Sequence, residues 1–190
     1  PILRGRNRPV CALSLYLGVK CRPVAMNDEV ISTFGHRVRV RASGICIKDE
    51  RILLVGHRGL TEDGLYWCPP GGGVNYGEPV RAAIGREMLE ETGLRARIGR
   101  FMFMREFLKP PLHAVELYFE ASVSNGEDCI KGNDPELGTA GQLIEDVRFM
   151  SISEIRGLPA QCVDPVFHSV SSAGYLLDER NWPAIQKQLI

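Results

Sequence analysis

The chain has no excess charge of either sign: 23 Lys and Arg face 23 Asp and Glu, a formal net charge of zero. Bulk electrostatics therefore gives no reason to expect nucleic acid or an anionic membrane surface as a partner. No apolar run approaches the roughly 18 residues of a membrane-spanning helix. The six cysteines (positions 11, 21, 46, 68, 129 and 162) form no CxxC pair and no Cys/His ligand spacing, which argues against zinc. A reducing compartment, the cytoplasm, is the simplest expectation. Internal repeats and low-complexity segments are also missing.

What is present suits a soluble globular domain. Hydrophobic residues make up 44% and charged residues 24% of 190 positions, enough for one domain with a real core. The charge is uneven, however. Residues 1–25 hold five basic residues (Arg4, Arg6, Arg8, Lys20, Arg22) and no acid, leaving 18 basic against 23 acidic residues in 26–190. We read 1–25 as an extension outside the core, a processed leader or an over-long start, and 26–190 as the folded domain. A mildly acidic body attracts polyanions poorly through bulk charge.

The chemistry concentrates in GGVNYGEPVRAAIGREMLEETGL, Gly72 to Leu94. A glycine loop runs into a predicted helix that starts at Pro79, where proline suits a first helical position, and ends near Gly93. Val80, Ile84 and Met88 recur every four residues as a buried stripe. Glu87, Glu90 and Glu91 fall on the edge of that stripe, within roughly 100° of arc. Carboxylates that close repel one another. Arg86 offsets part of the repulsion, through Glu90 at i+4 or through Glu78. A hard divalent cation such as Mg²⁺, which takes oxygen ligands, would offset more. Taken alone, EMLEE is as compatible with a solvated helix face as with a site.

The full spacing is more specific: Gly72, five residues, Glu78, seven residues, then Arg86-Glu87-Met88-Leu89-Glu90-Glu91-Thr92-Gly93-Leu94. This resembles the Nudix box with every position filled, and the lead-in Trp67-Cys68-Pro69-Pro70-Gly71-Gly72 is similar to the family's approach to it. The resemblance implies an α+β fold, a Nudix-type α/β/α sandwich with a mixed β-sheet and a catalytic loop-helix-loop. It implies hydrolysis of a nucleoside diphosphate linked to X, releasing a nucleoside monophosphate and phospho-X. By family position, Gly72, Glu87, Glu90 and Glu91 would hold Mg²⁺, for which Mn²⁺ can substitute. The same three glutamates are the catalytic set, and which of them serves as base stays open. Glu78 and Arg86 would pair to fix the box.

The remaining chain adds weaker signals. Arg37 to Ile47 alternates and then turns apolar, the mark of a half-buried strand, and Ile52 to Val55 reads as its hairpin partner. Arg39 lies on a face shared with Arg37 and Arg41, which is either solvated or a phosphate contact. Arg58 follows His57 at a strand end where ligands are met; the histidine reads as structural. Trp67 either stacks on a base or packs in the core. Cys46 reads as a small core residue.

Ile98–Leu108 and Ala114–Val123 read as strands around Pro110, a proline placed as in the ADP-ribose pyrophosphatase branch. In the long polar loop 124–142, Asp134 and Glu136 are either turn residues or additional acids at the site. Glu145 starts the strand 144–150, where related enzymes place a further metal ligand or base. Ser151 reads as a helix cap, and residues 182–189 as an amphipathic tail.

Three classes of function compete at this stage. They are the hydrolase, acting on ADP-ribose or a nucleotide sugar or else on nucleoside triphosphates; a nucleotide-sensing binding module; and a purely structural domain. The expected partner is a nucleotide-derived small molecule, with a second copy of the chain as an option and neither nucleic acid nor membrane.

Overall fold

The computed structural model describes residues 28–58, 60–61, 64–124, 128–132 and 143–187. The extension expected at 1–25, and Asp134 and Glu136, lie outside the described residues. A short helix α1 (Asp28–Phe34) leads into β1 (Val38–Lys48), whose exposed first half becomes fully buried by Ala42. The strand-forming look of its β-branched residues gave no sign of α1. Asp49 and Glu50 both take positive φ, at 50° and 58°. This is the twist a two-residue hairpin loop needs to return β2 (Arg51–His57) alongside β1.

Strand β1 is the pivot of the molecule. It pairs in parallel with β6 (Leu112–Val123) over Val38–Cys46 and His113–Ala121, and antiparallel with β4 (Gly71–Gly73). Its last two residues pair with β2, which also holds β3 (Tyr66–Cys68) and β7 (Ile144–Ser151). Strand β5 (Ala96–Lys109) completes the sheet against β6, across a loop of Pro110 and Pro111. One parallel pairing among antiparallel ones makes the sheet mixed.

Each face of the sheet is covered. Helix α2 (Val80–Thr92) drives Ile84 and Met88 against Ala42, Cys46, Leu53 and Val55. On the other face Ile45, Leu54, Trp67, Phe103 and Tyr118 meet Ile155, Val166, Phe167, Leu176 and Ile185. These last come from α3 (Ile152–Arg156), α4 (Ala173–Leu177), α5 (Trp182–Lys187) and the 3-10 turn at Pro165–Phe167. The result is the expected α/β/α sandwich. Two helix ends depart slightly from expectation or match it closely. Pro79 stands one place earlier than expected, as the extended N-cap of α2 rather than its first turn, while Gly93 ends the helix at φ 71° as anticipated. Ser151 caps α3 and forms a reciprocal capping box with Glu154.

Candidate active site

The site is built where β4 meets α2. With Gly44 bonded to Pro70 and Val74 bonded to Val40, the antiparallel ladder gives the intervening Ala42/Gly72 pair the mutual backbone bonds. The Gly72 carbonyl expected to hold a metal is therefore turned toward β1. The polar groups of Gly71 and Gly73 point instead to the free edge. There the Gly71 N–H donates to Glu91 Oε2 at 2.8 Å, and the Gly71 carbonyl accepts from Arg41 at 3.2 Å. The Gly73 carbonyl accepts from Arg86 at 3.1 Å.

The absence of side chains on β4 is what lets α2 come this close. A Cβ on Gly72 would collide with the Glu87 carboxylate. Gly72→Ala is therefore expected to cost about 1–3 kcal/mol of unfolding free energy, the usual range for overpacking. Urea denaturation measures it, and an unchanged midpoint would show that Glu87 can move aside freely.

Helix α2 arrays its acids as the sequence pattern requires. Glu87 and Glu91 are buried, at 5% and 4% exposure, and Glu90 is half-buried. Arg86 is the hub: its guanidinium bonds Glu78 at 3.0 and 3.1 Å, Glu87 Oε1 at 2.8 Å and Glu90 Oε2 at 2.9 Å. The expected Glu78–Arg86 pair thus exists and extends to two further acids. Hydrogen bonds from Arg86 hold the Glu78 carboxyl below its usual pKa.

Sequence reasoning missed His57. Its Nε2 lies 3.7 Å from Glu91 Oε1 and its Nδ1 3.6 Å from Cys68 Sγ. Burial opposes an imidazolium there, but the Cys68 sulfur and the Glu91 carboxylate outweigh it and raise the ring's pKa to about 10. No local pattern could have revealed this contact, because it depends on how β2 registers against the end of α2.

The other expected residues are distributed differently. Glu145 is the extra residue of a bulge: Gly56 pairs with Asp146 and His57 with Ile144, leaving Glu145 without a partner across the strands. Its carboxylate pairs with Arg58 at 3.0 Å and Lys131 at 3.7 Å rather than joining the α2 acids. Trp67 is 4% exposed in the core with Arg148 over its ring at 4.7 Å, so the packing alternative holds and base stacking is corrected. Arg39 lies over the Phe34 ring at 3.8 Å.

Among the described residues no three His, Cys, Asp or Glu side chains converge as a formed metal site. Their charge nonetheless fits a divalent cation. Three box carboxylates (Glu78, Glu87, Glu90) share the single guanidinium of Arg86, and a fourth, Glu91, is buried one turn beyond Glu87. Hard oxygen donors that outnumber their cation in this way suit Mg²⁺ or a similar ion.

The NUDIX domain family model matches residues 37–167. Human diphosphoinositol polyphosphate phosphohydrolase 3-alpha is 32% identical over 103 residues, 53% of this chain and 58% of that protein. ADP-ribose pyrophosphatase of Methanocaldococcus jannaschii is 33% identical over 90 residues, 46% of this chain and 53% of that protein. The chain thus spans about half the length of these curated relatives. Among solved structures, a MutT NUDIX hydrolase from Burkholderia pseudomallei superposes with a TM-score of 0.52 at 25% identity, covering 65% of this chain and 88% of that one. A MutT protein from Methanosarcina mazei Go1 gives 0.55 at 18% identity, over 76% and 94%, a likeness of fold alone. With more than half of its length matched by the family model and every box position filled, this chain belongs to the NUDIX domain family.

Proposed function

We propose that this chain is a divalent-metal-dependent pyrophosphohydrolase that cleaves the phosphoanhydride of a nucleoside diphosphate linked to X, with ADP-ribose or a nucleotide sugar as substrate. The observation that carries the reading is the grouping of four box carboxylates, three of them sharing Arg86, beside a strand bare of side chains. The name of the archaeal relative supports the choice of ADP-ribose.

Glu87, Glu90 and Glu91 are the residues that would hold Mg²⁺, with Glu145 as a more distant oxygen donor. When bound, such an ion supplies Lewis acidity and neutralises charge on the phosphates. The rest is work for the chain itself. Phosphoryl transfer needs an aligned water and a fixed electrostatic frame more than covalent chemistry. Gly71 fixes Glu91, and Arg86 fixes Glu87 and Glu90. One of these carboxylates accepts the proton of the attacking water. Arg58, the residue after β2, and Arg39 carry the planar fork suited to recognition of phosphate oxygens.

The test is a nucleotide panel with Mg²⁺ on the full chain. AMP released from ADP-ribose and abolished by EDTA is the expected result. Pyrophosphate released from a nucleoside triphosphate keeps the chemistry and replaces the substrate. Silence across the panel from a folded protein favours the nucleotide-sensing module.

A further inference from the structure

On the sheet face opposite α2 lies a cluster of buried and half-buried charge that the box does not include. Arg41 Nε donates to Glu116 Oε1 at 3.0 Å. The other Glu116 oxygen lies 3.2 Å from the Tyr118 hydroxyl and 3.8 Å from Arg105 Nε. Arg105 in turn donates to Asp164 Oδ1 at 2.8 Å, and the same oxygen accepts the Val166 N–H at 2.9 Å. Two cations and two carboxylates thus balance, held on β1, β5, β6 and the 3-10 turn after Asp164. Among the described residues no buried side-chain N or O lacks a partner.

One arm of this cluster leaves it. Arg41 also reaches the Gly71 carbonyl at 3.2 Å, while the N–H of that same residue is the donor that fixes Glu91 at 2.8 Å. Strand β4 consists of three glycines, the residues with the most backbone freedom to lose. Its free edge is therefore oriented only by what it bonds. Arg41 grips Gly71 from one face of the sheet and Glu91 grips it from the other.

We propose that Arg41 is a positioning residue of the site: anchored by Glu116, it holds the Gly71 peptide in the orientation that sets the Glu91 carboxylate. This inference rests on the hydrolase reading for its effect on turnover, but not for its effect on the peptide. Arg41→Lys keeps the charge beside Glu116 and loses the fork that serves Glu116 and Gly71 together.

The experiment reads the Gly71 peptide, turnover, metal affinity and KM. Amide hydrogen exchange of Gly71, followed by NMR, should accelerate at least about tenfold in Arg41→Lys. Losses of about 10–100-fold in kcat and in Mn²⁺ affinity are expected beside it, the range for removing a partner that orients a metal ligand. KM for the nucleotide should stay within twofold. Ile155→Val, a change in the core of the same face, controls for stability and should leave all four near wild type. Glu116→Gln, which preserves shape but loosens the Arg41 anchor, should give an intermediate acceleration at Gly71, and serves if Arg41→Lys does not fold.

Unchanged Gly71 exchange in the Arg41 and Glu116 variants overturns the proposal, as does equal acceleration in Ile155→Val. A rise in KM at constant kcat also overturns it, by making Arg41 a substrate contact. Should the wild type hydrolyse no nucleotide, accelerated exchange in Arg41→Lys still supports the positioning role, and only the hydrolase reading fails.

Discussion

Glu91→Gln is expected to lower kcat by about 10³-fold, the rate equivalent of about 4 kcal/mol of lost transition-state charge stabilisation, while leaving the fold intact. Both halves follow from the geometry. The side chain is 5% exposed, and its Oε2 accepts the Gly71 N–H at 2.8 Å, a bond that the amide oxygen of glutamine can also accept. What glutamine cannot supply is the negative charge, and Glu91 contributes one of the four box charges. Losing that charge relieves repulsion with Glu87, one turn earlier on the helix, and at the same time removes the carboxylate that faces His57 Nε2 at 3.7 Å. The two effects oppose each other, so the melting temperature should move by only a few degrees while turnover collapses. Steady-state kinetics and thermal denaturation on one preparation check both. A variant keeping more than a tenth of wild-type kcat would remove Glu91 from the catalytic set.

The parts of this molecule that could be read from sequence are those where neighbouring residues determine one another. The Glu78–Arg86 pair and the acids on α2 follow from spacing along one helix and the turn just before it, so the pattern foretold their grouping. The turn at Asp49–Glu50, the Gly93 terminus and the Ser151 cap are likewise local. The region from Ala160 to Leu177 could not be read. It consists of pieces of three to five residues without a period, and it is held by tertiary contacts such as the Asp164 N–H to the Trp67 carbonyl at 2.8 Å. His57 belongs with this group, since its meeting with Glu91 joins two segments 34 positions apart. Gly72 shows a third kind of limit: the motif identifies the residue, but only the ladder register decides which glycine carbonyl faces the site.

Arg86→Met should make stability depend on divalent metal to a degree the wild type does not. In the protein without metal, one guanidinium serves Glu78, Glu87, Glu90 and the Gly73 carbonyl, all between 2.8 and 3.1 Å. Methionine keeps an unbranched apolar stem and abandons every one of these partners. Breaking a buried pair typically costs about 3–5 kcal/mol, and the loss should sit at about 3 because the Arg86 and Glu90 side chains are each about a quarter exposed. The consequence for metal has the opposite sign. Arg86 Nη1 sits between Glu87 and Glu90, so it competes for the oxygens a cation would use, and removing it strengthens their pull. Saturating Mg²⁺, at about 100 times its Kd, contributes about 2.7 kcal/mol to any protein whose folded state alone binds it. The tighter binding expected of Arg86→Met enlarges that term at a fixed Mg²⁺ concentration. Melting curves in EDTA and in Mg²⁺ should therefore lie far apart for the variant and closer together for the wild type. A variant as stable as wild type in EDTA would mean that the box acids are separated well enough without the guanidinium. A smaller Mg²⁺ shift in the variant would mean that Arg86 helps to build the cation site rather than standing in for the cation.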